Sequence, residues 1–327
     1  MLPEVTVLTA VRNGEKYISQ TIESICKQSF SDFEYIIVDD HSSDRTVEII
    51  NRYRENDSRI KLIQHNKNIG PFAAANIGLD IAKGYYIIRT DGDDISFPNR
   101  IEKQVRFLKE NPKIRACASF AQRIDHNSNL INNGIIKSLL TPGSIKWHLF
   151  LRCPLVHSTA CIEKSVFEDM GGYNSSFTSQ DYRMWCYLAR RDIVAQLPEV
   201  LIYFRSNPDG ISAKKEILQK NNGFEVAQDH IYNVTGQYWS RQTIEGLNAI
   251  GLVKKGFPIA QALRASRKWD SCWASDKTLS KNEFDALVTL SAELRKIFLK
   301  RNRREQFFDV LLNSSSYFFP SPKKTRY

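Results

Sequence analysis

The amino-acid sequence predicts an α/β fold, in which a sheet of strands is flanked by helices and followed by a mostly helical, basic C-terminal region. Two observations carry this prediction. Between residues 5 and 120, short apolar segments rich in β-branched and aromatic residues alternate with segments of helical spacing. From residue 213 onward the spacing is mostly helical, ending in a last predicted helix over about 283–312. Strand and helix alternation of this kind is typical of parallel sheets with helices on both faces.

Four strands are predicted within the first 90 residues. They are short runs of apolar side chains over residues 5–10, 35–39, 60–64 and 85–89. Helices are predicted between them, because Ile18, Ile22 and Ile25 recur at intervals of three and four residues and the segment 47–54 has similar spacing. Ligands of such sheets bind beyond the carboxyl ends of the strands. The residues that follow each strand are therefore the candidate functional residues.

Acidic residues cluster after the second and the fourth predicted strands. The second strand leads into Asp39, Asp40 and Asp44, and the fourth leads into Asp91, Asp93 and Asp94. Carboxylates gathered at one edge of a sheet repel each other unless a cation or the hydrogen-bond donors of a ligand lie among them. An Asp-Gly-Asp turn offers two oxygen ligands, which suits Mg²⁺ or Mn²⁺ bound together with phosphate oxygens. A single aspartate at such a position is often a helix N-cap, but capping does not explain two clusters together.

Composition and motifs exclude several classes of protein. The chain has 327 residues, 42% of them hydrophobic and 25% charged, as in an ordinary folded protein. No run reaches the ~18 apolar residues of a transmembrane helix, and the first residues lack the basic segment of a signal peptide. The six cysteines have no C-x-x-C spacing, so we expect a reducing, cytoplasmic location. Neither a G-x-G-x-x-G motif nor a glycine-rich phosphate loop follows the first strand, which disfavours a nicotinamide-dependent enzyme and a sugar nucleotidyltransferase.

Four blocks of the sequence carry a resemblance to one enzyme family. They are VTVLTAVRNGEKYISQTIESICKQSFSDFEYIIVDDHSSDRTVEII (5–50), NKNIGPFAAANIGLDIAKGYYIIRTDGDDISFPNRIEKQVRFLKENP (66–112), PLVHSTACIEKSVFEDMGGYN (154–174) and SQDYRMWCYLARR (179–191). In this order they are similar to glycosyltransferase family 2, whose members are inverting enzymes with the GT-A fold. The resemblance covers roughly residues 3–205 by motif order. It implies a Rossmann-like mixed sheet flanked by helices, with a catalytic domain over 1–212 and a helical region over 213–327.

The resemblance also implies roles for individual residues. Those implied to bind the nucleotide sugar are Thr9, Ala10, Arg12, Asp40, Asp91 and His157, while Asp93 is implied to hold Mn²⁺ or Mg²⁺ and Asp181 to be the catalytic base. Asp40 matches the contact to a uracil-type base, and Asp91 matches the contact to the ribose. A base is needed because a sugar hydroxyl is a poor nucleophile, and a cation offsets charge on the departing nucleoside diphosphate. For His157, a ligand contact and a hydrogen-bonded structural role both stay open.

The resemblance implies a metal-dependent transferase that moves a sugar from a nucleotide sugar to a saccharide or lipid-linked acceptor. UDP is the expected nucleotide, and the expected role is in the assembly of a surface polysaccharide or glycan. Two positions depart from the family pattern. Gln180 stands where relatives usually have Glu, and residues 70–76 lack an arginine that many relatives carry. Arg12, Lys67 and Arg89 are the alternative sources of positive charge. Because of Gln180, a non-catalytic relative that binds nucleotide sugars also stays open.

The net charge of +10 belongs almost entirely to the end of the chain. Residues 1–240 hold 29 basic and 28 acidic side chains, whereas residues 241–327 hold 17 and 8. Three interpretations of this basic region stay open: packing as an acceptor lid or as a subunit contact in an oligomer, peripheral contact of 283–327 with the inner face of the membrane, and binding to nucleic acid. Nucleic acid is disfavoured because no recognition motif accompanies the charge.

Overall fold

The computed structural model of the chain describes residues 2–138, 140–174, 179–208, 210, 216–251 and 259–301. The chain divides into two compact units, Met1–Gln237 and Tyr238–Tyr327. The described residues contain these strands, all in the first unit: β1 (Val5–Val11), β2 (Phe33–Asp39), β3 (Ile60–Gln64), β4 (Tyr86–Arg89), β5 (Ile95–Ser96), β6 (Ala116–Ile124), β7 (Leu130–Ile136), β8 (Cys161–Glu163) and β9 (Val194–Arg205). The helices of this unit are α1 (Ile18–Cys26), α2 (Thr46–Asn56), α3 (Pro71–Ile81), α4 (Arg100–Glu110), α5 (Pro142–His148), α6 (Lys164–Met170), α7 (Gln180–Ala189) and α8 (Glu216–Thr235).

The strands of the described residues form one mixed sheet in the order β3-β2-β1-β4-β8-β6-β9-β5, and β7 pairs with β6 outside this path. β1 is parallel to both β2 and β4, and β2 is parallel to β3. Beyond β4 the direction changes, since β8 is antiparallel to β4 and to β6. The predicted α/β fold with a mixed sheet is confirmed. The carboxyl ends of β1, β2 and β4 meet at one edge, where the acidic residues were expected.

The two faces of β1 explain how helices cover both sides of the sheet. Val5 and Val7 belong to a buried apolar cluster that includes Ile18, Ile22 and Ile25 of α1, as the helical spacing predicts. Leu8 points to the opposite face and contacts α3 at Gly78, where an added Cβ would lie 2.2 Å from the Leu8 Cδ1 atom. The missing side chain therefore lets α3 approach the sheet closely. Each fully buried aliphatic side chain of this core contributes about 1.5–3 kcal/mol.

The second unit contains α9 (Arg241–Gly251), α10 (Ile259–Ala274) and α11 (Lys281–Arg301). Its buried side chains include Trp239, Trp269, Trp273, Leu247 and Leu287. Arg295 of α11 forms an ion pair with Asp270 of α10. None of the described helices combines the length and apolar character needed to cross a bilayer. Residues 302–327, which include most of the segment expected to contact a membrane, lie outside the described residues.

Arg100, at the start of α4, is a fully buried cation. Its Nε donates to Gln104 Oε1 (2.9 Å), its Nη1 to Ser96 Oγ (3.0 Å) and its Nη2 to the carbonyl oxygen of Arg89 (2.7 Å). Burial lowers the pKa of Arg100 to about 10, so the side chain remains charged at neutral pH. Arg100 thereby joins α4 to the end of β4, directly before the acidic residues 91–94.

Replacing Arg100 with Met should strongly destabilise the fold. The Arg100→Met variant leaves buried oxygen acceptors without a donor and the nearby Asp94 without a cation, so we expect the free energy of unfolding to fall by about 3–5 kcal/mol. Urea unfolding followed by circular dichroism measures it. The matched control is Arg106→Met on the same helix, where the side chain is 57% exposed and the change should stay within about 0.5 kcal/mol. Equal small effects of both substitutions would contradict a structural role for the buried charge.

Candidate active site

The loops after β1 and β2 are joined by direct hydrogen bonds. The Asn13 backbone N–H donates to Ser42 Oγ (2.8 Å), and Asn13 Oδ1 accepts from the Ser43 N–H (2.9 Å). The Gly14 N–H donates to Thr46 Oγ1 (2.7 Å) at the start of α2. Asn13 has a φ of 52°, a conformation that asparagine tolerates better than most residues. The two loops therefore form one preorganised wall at the carboxyl edge of the sheet.

The three residues predicted at the end of β1 differ in their surroundings. Thr9 is fully buried, and its Oγ1 lies 3.0 Å from the Tyr35 hydroxyl oxygen within the sheet layer. Ala10 is half-buried, whereas Arg12 has an exposed side chain at the edge. Among these three, Arg12 is thus the side chain that solvent and a ligand can reach most directly.

Asp40, the predicted contact to the nucleotide base, is buried and already has two backbone partners. Its Oδ1 accepts from the Ile69 N–H (2.7 Å) and its Oδ2 from the Gly70 N–H (2.8 Å). These bonds fix the residues that lead into α3. Each carboxylate oxygen has a second lone pair, so contact with a ring N–H would be an additional bond.

The loop after β4 brings three carboxylates together. Burial raises the pKa of Asp93 to about 6, and the negative charge of Asp91 adds to this effect. Burial and the charges of Asp93 and Asp91 raise the pKa of Asp94 well above its ordinary value. Asp93 Oδ2 accepts from Asn207 Nδ2 (3.2 Å), and Asp94 Oδ1 accepts from the Arg205 N–H (2.8 Å). Ionising these carboxyl groups is costly, and a bound cation would offset that cost.

Arg205, the last residue of β9, holds the acidic loop in place. Its Nε donates to the Asp93 carbonyl oxygen (2.8 Å), its Nη1 to Ser128 Oγ (2.9 Å) and its Nη2 to Gln20 Oε1 (2.7 Å). The guanidinium carbon also lies 4.3 Å from the centroid of the Tyr17 ring. Through Arg205, residues 17–20 and the turn at Ser128 are thereby tied to the loop that carries Asp93.

Asp181, the predicted catalytic base, lies in the first turn of α7 and is partly accessible. Burial raises the pKa of Asp181, and the charge of Asp91 raises it further, although bonds from backbone N–H groups oppose this rise. Asp91 and Asp181 are therefore close enough to interact electrostatically. The neighbouring Gln180 is buried, and its Oε1 accepts from the Asn174 N–H (3.1 Å).

His157 lies between Arg89 and Tyr173 in the interior of the site. The His157 Nε2 atom is 3.4 Å from Arg89 Nε and 3.2 Å from the Tyr173 hydroxyl oxygen. Arg89 Nη2 in turn donates to Asp91 Oδ1 (3.2 Å). Burial and the charge of Arg89 lower the pKa of His157 well below its ordinary value, so the imidazole is neutral.

The turn that carries Tyr173 is attached to α3 by a pair of reciprocal bonds. Asn76 Nδ2 donates to the Tyr173 carbonyl oxygen (2.8 Å), and the Tyr173 N–H donates to Asn76 Oδ1 (2.8 Å). Gly171 and Gly172, which precede it, have φ values of 70° and 76°. Without a Cβ, Gly172 fits against Asn76, because an added Cβ would lie 2.9 Å from Asn76 Oδ1.

The structure adds residues that sequence reasoning missed: Arg205, Asn207 and the hydroxyl of Tyr173. Nothing in the spacing of Arg205 or Asn207 connects them with Asp93, because the connection depends on where β9 lies in the sheet. The Gly-Gly-Tyr turn with Tyr173 stands in the sequence, but no residue pattern indicates that its hydroxyl contacts His157.

Within the described ranges, no group of three or more His, Cys, Asp or Glu side chains is arranged to hold a metal ion. Mg²⁺ sites on phosphate ligands commonly use only one or two protein carboxylates, which residues 91–93 can provide.

Comparisons with known proteins identify the family of the chain. The sequence model of the glycosyl transferase family 2 matches residues 6–169, half of the chain. The putative glycosyltransferase EpsE of Bacillus subtilis (strain 168) is 31% identical over 231 residues, covering 69% of this chain and 81% of that protein. WfaP of Escherichia coli, a UDP-Glc:alpha-D-GlcNAc-diphosphoundecaprenol beta-1,3-glucosyltransferase, is 29% identical over 225 residues, covering 67% of this chain and 84% of that protein.

Solved structures show the same fold. The structure of residues 1–349 of S. aureus TarS in complex with UDP-GlcNAc has a TM-score of 0.60 at 17% identity, covering 97% of this chain and 94% of that one. The mannosyltransferase PcManGT from Pyrobaculum calidifontis, in complex with GDP-Man and Mn²⁺, has a TM-score of 0.56 at 17% identity, covering 92% and 87%. The expected GT-A fold is confirmed.

Substitutions of the two adjacent glycines should separate backbone strain from the contact with Asn76. Gly171→Ala meets no atom within 4 Å, so it should cost only the strain of its positive φ, about 1 kcal/mol. Gly172→Ala has the same strain and also collides with Asn76, so we expect a loss larger by about 1–2 kcal/mol. Urea unfolding of both variants measures the difference. Equal losses would show that the turn does not depend on the close approach of Asn76.

Proposed function

The chain belongs to glycosyltransferase family 2 and is a glycosyltransferase, and we propose that it transfers a sugar from a UDP-linked nucleotide sugar to a saccharide or lipid-linked acceptor, with inversion and with a divalent metal ion. The observation that carries this proposal is the hydrogen-bonded connection between the two places that hold Asp91 and Asp181. Arg89 donates to Asp91 and contacts His157, His157 contacts Tyr173, and Asn174, the residue after Tyr173, donates to Gln180 beside Asp181. One carboxylate follows a central strand and the other begins a helix from a distant part of the chain. Nucleotide binding and proton abstraction can therefore occur side by side.

Asp181 is the proposed general base. Its carboxylate accepts the proton of the acceptor hydroxyl while the oxygen bonds to the anomeric carbon of the sugar. Attack from the side opposite the departing nucleoside diphosphate inverts that carbon. The raised pKa of Asp181 makes its carboxylate a stronger base than an exposed aspartate.

Asp93 is the proposed metal ligand, assisted by Asp91. The raised pKa of Asp93, at about 6, and the repulsion from Asp91 support a site built for a cation. A bound Mn²⁺ or Mg²⁺ ion would neutralise charge on the departing diphosphate. Asn207 orients the Asp93 carboxylate by its bond to Oδ2, and Arg205 holds the loop backbone.

The nucleotide sugar is proposed to lie along the wall formed by the loops after β1 and β2, near Arg12, Asp40 and Asp91. Asp40 can accept one further hydrogen bond, as the ring N–H of uracil requires. UDP is favoured because the WfaP name specifies UDP-Glc and the TarS complex contains UDP-GlcNAc. GDP is the alternative, since PcManGT was solved with GDP-Man.

The acceptor is proposed to be a growing surface glycan, as a saccharide or attached to a lipid diphosphate. The name of WfaP specifies a diphosphoundecaprenol-linked acceptor, which supports the lipid-linked form. An enzyme that meets such an acceptor works in the cytoplasm at the inner face of the membrane. The basic segment 283–327 is the proposed contact with the anionic lipid surface.

Two isosteric substitutions should separate catalysis from metal binding. Asp181→Asn removes the base, so turnover should fall by about 10²–10⁴-fold, while thermal stabilisation by UDP with Mn²⁺ persists. Asp93→Asn should lose most of the stabilisation that depends on Mn²⁺. Differential scanning fluorimetry measures binding, and release of nucleoside diphosphate from candidate nucleotide sugars measures turnover. Asp169→Asn, at an exposed position of α6, is the control that keeps both properties. Wild-type turnover in both test variants would refute the catalytic assignment.

Gln180→Glu, which introduces the residue most relatives have, should alter the pH dependence. A second carboxylate beside Asp181 disfavours its charged form, so the pKa of Asp181 should rise further. Asp181 acts as a base only when ionised, and activity is lost as the pH falls through its pKa. The acidic limb of kcat/KM should therefore lie at higher pH in Gln180→Glu than in the wild type, and Gln180→Met should leave the limb in place. An unmoved limb in Gln180→Glu would mean that another group sets it.

A further inference from the structure

A chain of hydrogen bonds connects Asp91 with the turn that precedes α7. Arg89, His157 and Tyr173 form this chain, and we refer to them as the bridge. Arg89 donates to Asp91 and to His157, and the hydroxyl of Tyr173 approaches the same His157 nitrogen, Nε2. Arg89 is also anchored to β1, because its Nη1 donates to the Leu8 carbonyl oxygen (3.0 Å). Arg89 and Tyr173 are almost completely buried.

The partners of His157 determine its tautomer. A guanidinium group only donates hydrogen bonds, so His157 Nε2 must accept from Arg89. In a neutral imidazole the proton is then on Nδ1. The Tyr173 hydroxyl, which also lies 3.7 Å from Met184 Sδ, can then only act as a donor toward Nε2, where it shares the single lone pair with Arg89. Protonation of His157 would place two cations against each other. The bridge therefore requires a neutral His157.

The surroundings of His157 disfavour direct contact with a ligand. Such a contact would use Nδ1, the ring nitrogen that forms no hydrogen bond within the bridge. Nδ1 is enclosed, and it has no hydrogen-bond partner among the residues that the structure describes. The ring is packed against Phe72 and Tyr173, with centroid distances of 6.2 and 5.6 Å. Nε2 of His157 thus holds its neighbours, and the enclosed Nδ1 is not available to a ligand.

The far end of the bridge is connected to the base. Tyr173 is bonded through its backbone to Asn76 of α3, and the next residue, Asn174, donates to Gln180. Gln180 directly precedes Asp181. A single turn is thus bonded on one side to the residues that hold Asp91 and on the other side to the helix that carries Asp181.

We propose that His157 and Tyr173 are positioning residues, which hold Arg89 against Asp91 and thereby fix Asp91 relative to Asp181. The proposal rests on the proposed function, because it assigns Asp91 to nucleotide binding. Neither residue touches the nucleotide sugar or the acceptor. Loss of the bridge should therefore weaken nucleotide binding through a misplaced Asp91, while the base itself stays intact.

Substitutions of His157 distinguish positioning from ligand contact. The glutamine side chain reaches the place of Nε2, whereas asparagine reaches only the place of Nδ1. His157→Gln should keep affinity for UDP with Mn²⁺ within about twofold, and His157→Asn and His157→Leu should lose about five- to tenfold, as loss of one hydrogen bond predicts. Isothermal titration calorimetry with UDP, and with GDP in parallel, measures this. Rescue by Asn and not by Gln would overturn the proposal.

The hydroxyl of Tyr173 has a matched control on α7. Tyr182 is also buried, and its hydroxyl donates to the Leu149 carbonyl oxygen, outside the bridge. Tyr173→Phe should lower nucleotide affinity and raise the KM of the nucleotide sugar by about three- to tenfold, with a smaller change in kcat. Tyr182→Phe should leave nucleotide affinity unchanged, even where it lowers thermal stability. Equal affinities in the two variants would overturn the positioning role of Tyr173.

A spectroscopic measurement tests the bridge without turnover or ligand. In protein labelled with ¹⁵N-histidine, the signal of His157, assigned from its loss in His157→Gln, should show an unprotonated Nε2 and a protonated Nδ1 throughout pH 6–9. Protonation of Nε2, or titration within this range, would overturn the proposal. Absence of binding of any nucleotide to the wild type would refute the proposed function instead, and the tautomer would still decide whether the bridge exists.

Discussion

Repulsion among carboxylates is the constraint on which the candidate active-site edge of the sheet depends. Besides burial, the negative charge of Asp91 raises the pKa values of Asp93, Asp94 and Asp181, and the charge of Asp93 further raises that of Asp94. Three buried guanidinium groups oppose this repulsion: Arg89, Arg100 and Arg205. Four formal negative charges against three positive ones leave this cluster net negative. A bound divalent cation would make the net charge of the cluster positive. The diphosphate of a nucleotide sugar would make that net charge negative again.

The same three arginines also fix the backbone around the acidic loop. Arg89 donates to the carbonyl oxygen of Leu8, Arg100 donates to that of Arg89, and Arg205 donates to that of Asp93. Each cation therefore compensates charge and also holds a backbone carbonyl group of β1, β4 or the acidic loop. Repulsion among the carboxylates is resisted by bonds to the sheet, so the loop can stay in place before any ligand arrives. Such preorganisation reduces the cost of binding a metal ion and a diphosphate.

The sequence could predict the strands and the residues that follow them, because these features depend on residues close together in the chain. Apolar spacing placed the strand over residues 60–64 with the bounds that the structure has, and strand order placed Asp40 and Asp91 at one edge. The partners of those carboxylates could not be predicted, because they come from distant parts of the chain. Asn207 reaches Asp93 across 114 positions, through the pairing of β9 with β5 and β6. The bonds from Ile69 and Gly70 to Asp40 likewise depend on a loop path that no residue pattern encodes.

The missing arginine of residues 70–76 left three candidates for positive charge, and the structure separates them. Arg89 is buried, and its guanidinium donates to Leu8, His157 and Asp91, so three of its N–H groups already have partners within the chain. Arg12 and Lys67 are exposed. An exposed cation contributes little to binding unless a ligand removes it from water. We infer that compensation of the diphosphate charge depends chiefly on the metal ion proposed at Asp93, which explains why so much of the buried structure serves to hold that loop.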